Sequence, residues 1–367
     1  MYTQVKFLPG NVEAHIVCER TENLDQFWLP RIHSLEEHPR WRYYWDKGLR
    51  RLGIRNFMGY QMLEAQRYQP HILHSHFGDI AWKDRGVAQR AGLKHVGTFY
   101  GYDVNYIPQV EPVWSTRYQE LFAHIDCVLC EGPYMARDII KLGCPAQKVR
   151  VHHLGVEVEN IGYSPRVWQP GTPLRVLIAA SFREKKGIPY AIEALARIRH
   201  LVDLEVTIIG DANELERSQK EKQKILATIE KHQFDEHICL RGYQPYHVLM
   251  EEAYRHHIFL SPSVTASDGD TEGGAPVSLI DMAASGMPIV SSRHCDIPEV
   301  ILDGVSGLLA DERDVDGLVD HLTWLIEHPD EWRPMLDAGR RRMEKEYHAK
   351  VQGERLAEVY ASLLESS

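Results

Sequence analysis

Residues 174–195 read LRVLIAASFREKKGIPYAIEAL. An apolar run of strand length, LRVLIAA, ends in a short loop carrying Arg183, Lys185, Lys186 and Gly187, and an amphipathic stretch follows over 188–201. Gly187 lets the backbone turn closely, and the N-terminus of the helix after it attracts an anion. The neighbouring Lys and Arg side chains supply charge suited to a phosphate. This is chemistry for a pyrophosphate; the alternative is a solvated basic turn. The dinucleotide fingerprint GxGxxG and the P-loop GxxxxGK[ST] are both absent, which disfavours a dehydrogenase or a P-loop enzyme.

The same alternation extends in both directions. Strand-like runs occur at 14–18, 71–76, 94–100, 127–131, 149–153, 205–210, 237–242, 257–263, 288–292 and 307–310, with amphipathic stretches between many of them. Strand, helix, strand alternation implies parallel sheets with crossover helices. With 174–180 the strands number eleven, too many for one comfortable sheet. The Pro-, Gly- and polar-rich segment 157–173 reads as a linker. The expected architecture is therefore α/β, with two Rossmann-like, doubly wound domains facing a cleft: 1–156, the linker 157–173, 174–342, and a terminal helix in 343–367 packing back on the first domain. Ligands of open α/β sheets bind at the carboxyl ends of the strands, so residues just after strands are the candidates.

Composition agrees with an ordinary globular chain of 367 residues, 44% apolar and 26% charged. The formal net charge of −10 argues against a nucleic-acid partner. No apolar run is long enough to span a membrane, and no secretory signal is visible. Six scattered cysteines suit a reducing cytoplasm, and Cys127-Val-Leu-Cys130 reads as a buried strand rather than a redox or metal motif.

A second informative stretch, SDGDTEGGAPVSLIDMAASG (267–286), follows the strand-like run at 257–263. Asp268, Asp270 and Glu272 lie in a Gly-rich loop, and Gly273–Gly274 expose backbone N–H groups. The acidic spacing fails a calcium loop, because Leu279 stands where the bidentate Glu belongs. Carboxylates accepting hydrogen bonds from sugar hydroxyls fit better. Together with FREKKG, IIGDA (208–212), LRGYQP (240–245), SGMPIVSS (285–292), IPEVI (297–301) and DGVSGLL (303–309), this stretch resembles the family 4 glycosyltransferases of the GT-B fold. It lies close to the branch that builds colanic-acid-like and other surface polysaccharides. The resemblance implies a retaining, metal-independent enzyme with a nucleotide-diphosphate sugar as donor and no cofactor besides. It places Lys186 on the donor phosphates, with Arg183 taking over a charge that the family holds where Ser181 stands. Glu272 takes the position that contacts the transferred sugar, and Asp281 the one that contacts the ribose. The pair is spaced one residue wider than the family's Glu-x7-Glu, and its second acid is Asp. Gly187, Gly210, Tyr243, Gly273, Gly274 and Ala275 complete the implied donor site.

The first half resembles the acceptor domain. HSHFG (74–78) brings His76 to a strand end, where a packed histidine is the alternative reading. TFYGYDV (98–104) matches a family segment with Tyr100 in place of a histidine, and puts Asp103 where it could orient an acceptor hydroxyl. MYTQVKFLPG reads as the end of a helix, so the family's first strand and loop lie outside this sequence or are absent from the sheet. Residues 40–57, RWRYYWDKGLRRLGIRNF, interleave aromatics with a local charge of +5. They suit contact with an anionic membrane surface, or equally an exposed helix with aromatics inward. The expected function is transfer of a sugar to a glycan or lipid-linked acceptor in surface polysaccharide synthesis, in the cytoplasm at the inner face of the membrane. The alternative is a non-catalytic nucleotide-sugar-binding subunit that needs a partner chain.

Overall fold

The computed structural model describes residues 2–37, 44–45, 48–49 and 58–365. The chain divides into two compact units: Met1–Gly155 with Ala349–Ser367, and Val156–His348.

In the first unit β1 (Ile16–Cys18) and β2 (Ile32–Ser34) pair in parallel as a separate ribbon. The main sheet runs in chain order: β3 (Ile72–His76), β4 (Lys94–Thr98), β5 (Cys127–Cys130) and β6 (Val149–Val151), all parallel. The strand CVLC is buried throughout, as a parallel strand covered on both faces must be, and its two cysteines form no disulfide. Helices Val113–His124 and Pro133–Lys141 supply Tyr118, Leu121, Phe122, Met135 and Ile139 to one core. The last helix, Ala349–Glu365, packs Leu356 and Leu363 against Val96, Cys127 and Leu129. Tyr2–Lys6 is helical and lies on this last helix, where a Cβ added to Gly353 would stand 2.0 Å from the Phe7 carbonyl oxygen. Among the described residues the main sheet begins at β3.

The second unit holds a six-stranded parallel sheet. Its strands are β7 (Leu174–Ala179), β8 (Leu204–Ile209), β9 (Ile238–Leu240), β10 (Ile258–Ser261), β11 (Ile289–Ser292) and β12 (Leu308–Ala310). Their spatial order is β12-β11-β10-β7-β8-β9. The chain winds outward from β7 to β9, then returns to the other side of β7 and winds outward to β12. The reversal falls between β7 and β10, where the loops leaving two neighbouring strands diverge. Separate apolar cores cover the two faces.

All eleven strand-like runs are strands, ten of them shortened and β8 shifted by one residue; the three-residue β2 lies outside those runs. Residues 157–173 are not a free tether. They belong to the second unit, burying Val158, Ile161, Arg166 and Trp168. The expected terminal helix is two elements, Trp332–Glu346 in the second unit and Ala349–Glu365 in the first. Most of the basic aromatic segment 40–57 lies outside the described residues; of it, Tyr44 and Trp45 are exposed.

Candidate active site

The loops that leave β7 and β10 touch through their backbones. Glu184–Lys186 form one 3-10 turn, closed by Gly187 at φ 63°, from which helix Ile188–Ile198 departs. A Cβ on Gly187 would lie 1.9 Å from the Pro262 carbonyl oxygen, so only glycine fits. The Val264 N–H donates to the Lys185 carbonyl at 2.8 Å and fastens the two loops. The ends of β8 and β9 meet in the same way. Gly210 (φ 134°) donates its N–H to the Gly242 carbonyl at 2.9 Å, and Tyr243 stands exposed beside it.

On this frame the Lys186 Nζ lies 2.8 Å from Glu272 Oε1 and 2.9 Å from Oε2. The Ser263 hydroxyl donates to Oε1 at 2.8 Å. Burial alone would raise the Glu272 carboxyl. The charges of Lys186 and Lys185, with the hydrogen bonds from Lys186 and Ser263, outweigh it and hold the group below its ordinary value. Glu272 is therefore an anion with a cation already beside it. Lys185 is buried, bonded to Asp270 Oδ1 at 3.1 Å and to the Thr271 carbonyl at 2.7 Å. Burial lowers its pKa, against the pull of Glu272 and Asp270.

Arg183 does not stand free toward a phosphate. Its guanidinium bonds Asp270, which also faces Arg217 at 3.7 Å. Three cations converge on one buried carboxylate and hold the 267–274 loop. Gly273 and Gly274 are buried; their N–H groups donate to the Thr271 hydroxyl (3.1 Å) and the Glu272 carbonyl (2.9 Å), and Ala275 follows, half-buried. Asp281 is buried in helix Val277–Ser285 and bonds the Tyr246 hydroxyl. Burial pushes its carboxyl up to about 7, against the hydrogen bond from Tyr246.

Two further residues join this edge. His294, after β11, accepts the Glu272 N–H at 3.1 Å on Nε2 and meets Glu312 Oε1 at 2.6 Å through Nδ1. Glu312, after β12, also accepts the Thr265 N–H at 2.7 Å. Burial would raise the Glu312 carboxyl, but His294 and Thr265 together bring it down to about 2.

In the first unit, the Tyr100 hydroxyl lies 2.5 Å from His76 Nδ1, and the His76 ring stacks on His74 at 4.6 Å. Burial pushes His76 down to about 3, so the imidazole is neutral at physiological pH. Asp103 follows β4, in the turn Tyr102–Tyr106. It is fully buried, and its carboxylate accepts the Gly78 N–H at 2.7 Å and the Tyr100 N–H at 2.9 Å. It ties the loop after β3 to the loop after β4. Burial raises it to about 6, against those N–H bonds.

Residues 1–160 match the family "Glycosyltransferase Family 4", and residues 165–343 match "Glycosyl transferases group 1". The chain is 31% identical over 305 residues to WcaL of Escherichia coli K12, a candidate colanic acid biosynthesis glycosyltransferase, covering 82% of this chain and 72% of that one. The chain belongs to glycosyltransferase family 4. It is 34% identical over 273 residues to the amylovoran biosynthesis glycosyltransferase AmsK of Erwinia amylovora, with 74% of this chain and 64% of AmsK covered. This family 4 enzyme has the two parallel sheets of the GT-B fold. HepE of Anabaena, solved with UDP, superposes with a TM-score of 0.70 at 14% identity, covering 83% of this chain and 82% of that one. The sucrose-phosphate synthase of Thermosynechococcus elongatus gives 0.69 at 16%, covering 85% and 78%.

Within this glycosyltransferase the structure brings Lys186, Gly187, Glu272, Gly273 and Gly274 together at the switch point. Asp281 pairs elsewhere, with Tyr246, and Arg183 is drawn to Asp270. His294 and Glu312 are not legible in the sequence, because each acquires its partner only through strand order, and Ser263 meets Glu272 only through the fold of their shared loop. Lys185 and Asp270 lie inside the quoted stretches, yet spacing did not single out which lysine is the buried one.

Proposed function

We propose that the protein transfers a sugar from a nucleotide-diphosphate donor, with retention and without a metal ion, to a glycan or lipid-linked acceptor of surface polysaccharide synthesis. The Lys186–Glu272 pair at the switch point is the observation that supports this most. The pair keeps two charges balanced inside the unit. A bound donor divides it: Lys186 turns to the diphosphate, and Glu272 accepts hydrogen bonds from the sugar hydroxyls. As the glycosidic C–O bond breaks, negative charge grows on the leaving phosphate, and Lys186 stabilises it there. Helix Ile188–Ile198, opening at Gly187, adds its N-terminal dipole. Asp281 accepts from the ribose, Gly210 and Tyr243 lie along the nucleotide, and Gly273 to Ala275 flank the sugar. Arg183 acts by holding Asp270 and the loop rather than by touching phosphate.

The first unit takes the acceptor, with His76 and Tyr100 on that side. His76 meets the Tyr100 hydroxyl at Nδ1, and burial holds its ring neutral and a weak base for the acceptor proton. The leaving phosphate oxygen takes that proton in a front-face displacement. The relatives named for colanic acid and amylovoran synthesis support the polysaccharide setting.

Calorimetric titration with UDP, GDP and ADP tests the donor site. One nucleotide should bind saturably, and Lys186→Ala should weaken it at least tenfold. Absence of binding by all three, or unchanged binding by the variant, overturns the assignment. Transfer should persist in EDTA; its loss there, with recovery on adding a divalent ion, overturns metal independence.

A further inference from the structure

The residues that follow four neighbouring strands form a continuous row across the carboxyl edge of the six-stranded sheet. Lys186 follows β7, Glu272 follows β10, His294 follows β11 and Glu312 follows β12, and these strands are adjacent in that order. Each member bonds the next: Lys186 to Glu272 at 2.8 Å, the Glu272 N–H to His294 Nε2 at 3.1 Å, and His294 Nδ1 to Glu312 at 2.6 Å. The first two belong to the donor site proposed above. The last two have no place in it.

We propose that His294, oriented by Glu312, is a positioning residue that sets the Glu272 peptide, and with it the carboxylate and the Gly273–Gly274 backbone that face the transferred sugar. The inference rests on the reading of Glu272 as a sugar ligand. Three features carry it. The His294 side chain is 1% exposed and, among the described residues, meets Glu272 through its backbone N–H, so it acts on the sugar at one remove. Its ring is held at both nitrogens: the Glu312 carboxylate requires a proton on Nδ1, and the Glu272 N–H requires a lone pair on Nε2, which selects one neutral tautomer. Glu312 is itself pinned by the Thr265 N–H (2.7 Å), the Thr265 hydroxyl (3.3 Å) and Arg313 (3.5 Å), so the ring is referred to the outer strand of the sheet.

The loop is bent to achieve this. Cys295 sits at φ 47°, a left-handed conformation that costs a non-glycine residue energy. Its thiol lies 3.1 Å from the same Nε2. The next residue, Asp296, donates its N–H to the Gly274 carbonyl at 3.4 Å, a second tie between the two loops. A backbone amide held by a buried acceptor moves little, and sub-ångström placement of the carboxylate is what catalysis by hydrogen bonding requires.

The test separates orientation from stability by choosing which nitrogen is replaced. In His294→Asn the side-chain amide can still donate to Glu312, but nothing reaches the Glu272 N–H. In His294→Gln the longer side chain places an amide oxygen near the former Nε2. Both are measured for thermal midpoint, for affinity toward the nucleoside diphosphate that wild type binds, and for kcat and KM with the corresponding nucleotide sugar. Donor hydrolysis serves as the readout where no acceptor is known. The expected result is a kcat lowered about tenfold or more in His294→Asn, nucleotide affinity within about twofold of wild type, and substantial recovery of kcat in His294→Gln. Equal loss in both variants in step with falling thermal midpoint makes His294 a packing residue only and overturns the proposal, as does unchanged kcat in His294→Asn. A failed donor site reads differently: Lys186→Ala then leaves nucleotide binding unaltered, and the reading of Glu272 falls first.

Discussion

Asp281 shows how one residue's surroundings couple binding to pH. Its carboxyl is buried beside a single hydroxyl partner and titrates at about 7 instead of 3.8. The folded state therefore binds more protons than the unfolded state between about pH 4 and 7, and stability from this group falls as pH rises across that window. Asp281→Asn removes the penalty. Its thermal midpoint relative to wild type should rise from pH 5 to pH 8, and a constant difference would contradict the burial argument. If the ionised carboxylate receives the ribose, nucleotide affinity should strengthen by up to about tenfold from pH 6 to pH 8 in wild type beyond any change in Asp281→Asn. Calorimetry at the two pH values measures that difference, since the phosphates titrate equally in both proteins.

At the scale of elements, Arg166 shows why 157–173 is structure rather than tether. Its buried guanidinium donates to the Ala253 carbonyl (2.9 Å), the His256 carbonyl (3.2 Å) and the Ser285 carbonyl (3.0 Å), and lies 4.8 Å from the Tyr254 ring. These carbonyls end helices Tyr246–Arg255 and Val277–Ser285, so one cation caps two helix C-termini and meets both dipoles. Arg166→Met leaves those carbonyls without their donors and should cost about 3 kcal/mol or more in urea unfolding. Arg166→Lys should recover only part, because an ammonium cannot span the fork of acceptors. A loss under 1 kcal/mol for the Met variant would show that the caps contribute little. Gly187→Ala belongs to this scale too. Its Cβ meets the Pro262 carbonyl, so the loops after β7 and β10 must separate, and nucleotide binding should fall together with stability.

Over the whole molecule, histidines lowered by burial are a source of acid sensitivity; most lie in the first unit, while His256 and His257 belong to the second. His76 is pushed down to about 3, His95 and His152 to about 4, and His74 well below its ordinary 6.5, burial being the leading cause in each. Unfolded, these rings take up protons near pH 6.5; folded, they do not. The unfolded state gains protons first, so stability is lost as pH falls from about 6.5 toward 4. For buried rings such as His95 and His152 the slope is at most about 1.4 kcal/mol per pH unit each. Asp103, protonated near 6 in the folded state, opposes one such group. Thermal melts followed by near-ultraviolet circular dichroism should give a lower midpoint at pH 5 than at pH 7.5. A flat or rising midpoint would count against the histidine cluster as the acid-labile element.

Local periodicity was enough to place eleven strands, and the ordered motifs from FREKKG to DGVSGLL were enough to reach the family. Both depend on residues a few positions apart, whose backbone preferences act wherever the segment lies. The same holds for Gly187, whose turn is written in KKGIP. What the tertiary structure decided is which side chains meet. Arg183 and Lys185 find Asp270 some 85 residues away, Glu272 finds His294, and His294 finds Glu312. Nothing in the intervening sequence indicates these pairings, because they arise from the spatial order β12-β11-β10-β7. Asp103 stands as expected after β4, and only the fold shows its carboxylate bonded to the backbone of the β3 loop. Sequence named the charges at the strand ends through short-range pattern; only the sheet, by setting strands side by side, determined which charges are spent on one another and which remain for a ligand.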